Sequence, residues 1–85
     1  MTTAQIAADK YIVINDSQFK FPVLVEDVRK SGKTLTDLKA MDGEQYGAWC
    51  DAVQMDRSHG DVGSQGCIDF CNELVEAGAT VWNIG

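Results

Sequence analysis

The chain has 85 residues and a mass of 9.3 kDa, which leaves room for one domain on a prior of ~100–200 residues per domain. Hydrophobic residues make up 45% and charged residues 24%, values that exclude a disordered, collagen-like or coiled-coil chain. Thirteen acidic against seven basic side chains give a net charge of −6, which argues against direct nucleic-acid binding because such binding draws most of its affinity from Lys and Arg on phosphates.

Beyond Met1, the residues up to Asp9 contain Ile6 as their one large apolar residue, and read as a tail or marginal helical turn ahead of a single domain over 10–85. Lys10 to Asn15 are rich in β-branched and aromatic residues and predict a strand, with Tyr11, Val13 and Asn15 on one face and Ile12 and Ile14 on the other. Asn15 to Gln18 supply turn chemistry, and Phe19-Lys20-Phe21 alternate again, so a β-hairpin is expected. Pro22 admits two continuations. Val23 to Val25 could extend an edge strand, or Pro22 could stand at the first position of a short helix running to Lys30 and closed by Ser31-Gly32. Glu26 and Asp27 near its start and Arg29 and Lys30 near its end suit the helix dipole, which tips the reading toward the helix.

Thr34 or Thr36 can cap the next segment, where Leu35, Leu38 and Met41 recur at helical spacing until Asp42-Gly43 interrupt or bend it. Glu44 to about Met55 predicts an amphipathic helix with Tyr46, Trp49, Cys50 and Val53 on one face. Asp56 to Gly63 reads as a loop. Ser64 can cap a helix from Gln65 to Ala77, whose stripe is Cys67, Ile68, Cys71, Leu74 and Val75, with Phe70 at the margin. Gly78 suits a left-handed helix terminus, and Ala79 to Ile84 predict a closing strand that pairs with 10–15. The expected fold class is therefore α+β: a small single domain with an N-terminal β-hairpin, two to three helices packed on one sheet face, and a C-terminal strand. Packing on one face leaves the other wet.

No apolar run approaches the ~18 residues of a membrane span, and the N-terminus lacks a signal peptide's regions, so an intracellular, soluble, cytoplasmic setting without a membrane partner is expected. Three cysteines in such a chain do not suggest a disulfide framework. Cys50, His59, Cys67 and Cys71 could be drawn as a Cys₃His zinc site, or Cys67 near a helix start as a reactive thiol. The close ligand pairs of familiar zinc sites are missing, and free cysteines acting as small hydrophobes fit better, so no cofactor is expected. Ser58, His59, Asp61 and Ser64 invite a catalytic triad, but adjacency in sequence is no evidence of its geometry. Gly60-x-x-Gly63-x-x-Gly66 lacks the lysine of a phosphate-binding loop and any preceding strand.

The charge is uneven. Residues 1–39 hold six basic and five acidic side chains, whereas residues 40–85 hold eight acids against Arg57 alone. The expected function is that of a small acidic, non-enzymatic interaction module, an inhibitor or adaptor that meets a basic surface of a larger protein through Asp42, Glu44, Asp51, Asp56, Asp61, Asp69, Glu73 and Glu76. By analogy alone, compact acidic domains of this kind include viral inhibitors of host defence or nucleic-acid machinery. The alternatives are a structural or assembly subunit held by aromatic and hairpin-edge contacts, or a zinc or thiol protein.

Overall fold

The computed structural model describes residues 8–16, 18–53 and 60–84. Strands β1 (Tyr11–Asn15), β2 (Lys20–Leu24) and β3 (Thr80–Asn83) form one sheet in the order β2-β1-β3, antiparallel between β1 and β2 and parallel between β1 and β3. Between β2 and β3 the described residues form α1 (Val25–Ser31), α2 (Leu35–Ala40), α3 (Gly43–Val53) and α4 (Gln65–Glu76). The fold is α+β, with the N-terminal hairpin and the C-terminal strand where the sequence places them. The tail at residues 1–7 and the loop at 54–59 lie outside the described residues.

The hairpin turns on Asp16. One oxygen of its carboxylate accepts the backbone N–H groups of Gln18 at 2.8 Å and Phe19 at 2.6 Å, while its own N–H donates to the Phe19 carbonyl at 2.9 Å. That side-chain mimic of a turn sets the strand register. The flanking bonds Asp16 to Phe19 and Val25 to Lys10 put Ile12–Val23 and Ile14–Phe21 at hydrogen-bonded pairs, so Pro22, opposite Val13, falls at a pair that exchanges no bonds. Its missing donor faces the outer edge of the sheet. The strand therefore passes through Pro22 to Leu24 and the helix begins at Val25. Pro22 at a helix start is corrected for that reason.

Each following helix is begun or ended by a short polar device. Gly32 closes α1 at φ 72°, a left-handed conformation that suits glycine. Thr34 rather than Thr36 opens α2, in a capping box with Asp37: the Asp37 N–H donates to the Thr34 hydroxyl at 3.3 Å and the Thr34 N–H donates to the Asp37 carboxylate at 2.8 Å. The Thr34 N–H and hydroxyl, both donating to it, hold the Asp37 carboxyl below its ordinary range. Asp42 and Gln45 make the same exchange at the start of α3, which is why the helical pattern breaks there. Ser64 caps α4 by accepting from the Cys67 N–H at 3.3 Å.

The two sheet faces are both covered. Ile12, Ile14, Phe21 and Val23 point to one side and Val13 and Pro22 to the other, and all six are buried. Helices α1 to α3 lie on the first side, as expected of helices packed on one face. The Trp49 indole of α3 donates to the Ser31 hydroxyl of α1 at 3.0 Å, and the Tyr46 hydroxyl donates to Asp16 at 3.0 Å. Helix α4 covers the face expected to stay wet: the Phe70 and Tyr11 rings meet edge to face with centroids 5.6 Å apart, and the Cys67 thiol donates to the Lys20 carbonyl at 3.7 Å. Three consecutive apolar residues, Ile12-Val13-Ile14, record this two-sided burial. Along α4 the buried set is Cys67, Phe70, Cys71 and Leu74, a spacing of three, four and seven; Phe70 is central and Val75 is 40% exposed, which reverses their expected places.

Candidate interaction surface

The sheet divides the acidic residues proposed from the sequence. Asp42, Glu44 and Asp51 belong to α3 and its cap on one side, while Asp61, Asp69, Glu73 and Glu76 belong to α4 and its leading turn on the other. All seven are exposed; Asp56 lies outside the described residues. The seven described acids therefore do not form one surface.

The two sides differ in the company the acids keep. From Val25 to Val53 the layer also carries Arg29, Lys30, Lys33 and Lys39, and Lys30 pairs with Glu26 at 3.4 Å. From Gly60 to Ile84 there is no Lys or Arg at all. Asp69, Glu73 and Glu76 follow one another at four and three residues, so they stand in a row on the outer face of α4. Among the described residues none of them has an ion-pair partner; Asp69 accepts a bond from the Gln65 amide at 2.8 Å. Glu73 and Glu76 also occupy the last turn, at the negative end of the helix dipole, and that turn contains no basic residue.

The cysteines are likewise divided. Cys50 lies on α3 beside Tyr46, whereas Cys67 and Cys71 are buried in α4 across the sheet. His59 is outside the described residues, and among the described residues no three His, Cys, Asp or Glu side chains are placed to share a metal. The structure does not bring Cys50 together with Cys67 and Cys71. Burial, with the neighbouring Cys67 thiol second, pushes the Cys71 thiol up to about 12, and burial raises Cys50 as well, so neither is primed as a thiolate. Cys67 is 1% exposed and Cys71 0%, so a chromogenic disulfide reagent at neutral pH is expected to reach Cys50 alone in the native protein and all three cysteines in guanidinium. Rapid native labelling of two or three thiols would contradict this packing.

These thiols also give an alkaline signature. In the unfolded chain a cysteine ionises near its ordinary value of 9.0, whereas Cys71 in the folded chain holds its proton to about 12. Between those values the unfolded state has lost a proton that the folded state keeps, so stability falls with pH by about 1.4 kcal/mol per unit for that group. Below the ordinary value both states are protonated and the effect vanishes. Thermal melts are expected to be flat from pH 7 to about 8.5 and to decline above, with a shallower decline in Cys71→Ala. A melting temperature that rises through this window would contradict it.

The glycine-rich loop serves the start of α4. Gly60 has φ 121°, and a Cβ there would run into the Ser64 hydroxyl that caps the helix. Gly63 has φ 87° and passes close to the Phe19 ring. The glycine spacing is thus explained by the turn and cap, and Ser64 takes up a helix N–H that a phosphate cradle would offer.

A cleft of about 820 Å³ missed in the sequence opens at the C-terminal ends of β1 and β3, between Asp16, Lys39, Asp42, Tyr46 and Asn83. Apart from Lys39 and Gln18, its polar side chains are bound into the fold. Asp16 holds the hairpin turn and Tyr46, Asp42 caps α3, and Asn83 accepts from Asn15 at 2.9 Å. Burial, with Cys50 and Asp16 adding to it, raises the Tyr46 phenol far above its ordinary range. No sequence signal could have shown this cleft, because it is assembled from three separate segments. No family model, curated protein or solved structure matches this chain. No described helix is long and apolar enough to cross a membrane.

Proposed function

We propose that the chain is a non-enzymatic interaction module, an inhibitor or adaptor, whose binding surface is the outer face of α4. The observation that supports this reading is the single-sign row Asp69, Glu73 and Glu76, preceded by Asp61, in a segment, residues 60–84, that contributes no Lys or Arg of its own, although the Lys20 ammonium of β2 reaches the Asn72 side chain of the same helix at 3.5 Å. A row of like charges at helical spacing destabilises the helix that carries it, and acids in the last turn oppose the dipole as well. Residues held where they cost stability belong to function more often than to folding. The complementary partner is a larger protein with a basic surface; nucleic acid and an anionic membrane surface would be repelled.

Such a contact is steered by charge and is screened once the Debye length shrinks from about 10 Å at 0.1 M salt to about 3 Å at 1 M. Partner capture on the immobilised protein should therefore weaken steeply as salt rises through this range. Capture that is indifferent to salt would point instead to an assembly subunit held by apolar contacts.

A further inference from the structure

The two edges of the sheet are unlike. The β2 edge is blunted by Pro22, which presents no outward donor. The β3 edge is bare among the described residues, since β3 is the last strand and pairs only with β1. The Ile84 N–H donates to the Asn15 carbonyl at 2.8 Å, which sets the phase of the parallel ladder: Thr80, Trp82 and Ile84 direct their backbone groups to β1, and Val81 and Asn83 direct theirs outward. A β-branched and aromatic strand with free outward donors and acceptors is a template for another strand.

Beside this edge, on the face covered by α1, lies a groove of about 400 Å³ with Ile12, Val28 and the half-buried Trp82 on its apolar walls. Arg29 and Lys33, both exposed, stand on its rim, and among the described residues no carboxylate lines it. Of the two acids on α1, Glu26 is engaged by Lys30 at 3.4 Å, and Lys33 also acts on the Asp37 carboxylate at the start of α2, helping to hold it below its ordinary range. A strand laid against β3 would send alternate side chains over this groove and its two cations.

We propose that the β3 edge and this groove accept an extended segment of a partner protein that alternates acidic and apolar side chains. The backbone groups of Val81 and Asn83 supply the ladder, Trp82 the apolar contact, and Arg29 with Lys33 the preference for acid. A second copy of this chain is the poorer occupant: its own free edge, Thr80-Val81-Trp82-Asn83, brings no carboxylate to Arg29 and Lys33, and its other edge is blocked by Pro22. This surface lies apart from α4, and binding here does not depend on the acids of that helix.

The test uses the full chain and a labelled, end-capped hexapeptide of alternating glutamate and valine, with a lysine and valine peptide of equal length as control. Binding is read by fluorescence anisotropy and the site by amide exchange in NMR spectra. The glutamate peptide is expected to bind and to slow exchange at Val81 and Asn83, and the lysine peptide to do neither. Val81→Pro removes an outward donor without touching the bonds to β1, and Arg29→Glu with Lys33→Glu reverses the rim; each should weaken the peptide at least about tenfold, the equivalent of 1.4 kcal/mol. The exposed rim variant keeps the test decisive should Val81→Pro fail to fold. Absence of binding, equal binding of the lysine peptide, or binding without slowed exchange at those two amides would overturn the proposal. Concentration-dependent protection of the same amides in the free protein would overturn it in favour of a second copy.

Discussion

Leu74→Ala is expected to destabilise the protein by about 2–5 kcal/mol, seen as a fall in the urea midpoint at unchanged slope. Leu74 is 0% exposed, on the inner face of the helix that, among the described residues, covers the Val13 and Pro22 side of the sheet. Truncation there leaves a cavity with no second layer to collapse into it. A chain of this length has only about 4–13 kcal/mol of stability in total, so the variant should sit close to its unfolding threshold at 37 °C. Val75→Ala, one residue away and 40% exposed, should cost no more than about 0.5 kcal/mol. Equal losses at the two positions would mean that α4 meets the sheet with a different face.

The other large effect separates stability from binding. Replacing Asp69, Glu73 and Glu76 together by Asn, Gln and Gln removes like-charge neighbours and the acids that oppose the α4 dipole, at about 0.3–1 kcal/mol for each acid near the helix end. The triple variant is therefore expected to melt higher than the native protein while losing its partner. A gain in stability paired with a loss of binding is what surface charges kept for a contact should show, and charges kept only for solubility should not.

How far the sequence carried depended on whether the deciding contact was local. Caps at Thr34 and Ser64, the left-handed Gly78 and the hairpin are set by residues a few positions apart, and they were legible. Pro22 was misplaced because its tolerance in a strand depends on which ladder pair it occupies, a matter of register with β1. Coverage of the second sheet face was missed although Ile12-Val13-Ile14 carried the signal, since a short apolar run also suits a strand with one wet face and a crowded edge. For the site, the acidic bias of the C-terminal half was legible, but its division between α3 and α4 was not. That division follows from α4 crossing to the far side of the sheet, and sequence spacing holds no trace of it. The 820 Å³ cleft and the β3 groove were invisible for the same reason: each joins segments far apart in the chain.

The most direct test compares two variants of equal net charge, Asp69→Asn/Glu73→Gln/Glu76→Gln on α4 and Asp42→Asn/Glu44→Gln/Asp51→Gln on α3, in affinity capture from the native host with quantitative mass spectrometry. Asn at position 42 retains a capping side chain, so α3 should keep its start. If the α4 face is the binding surface, the basic partner is lost from the first variant and retained by the second. A partner retained by the α4 variant, or lost equally from both, would contradict that account.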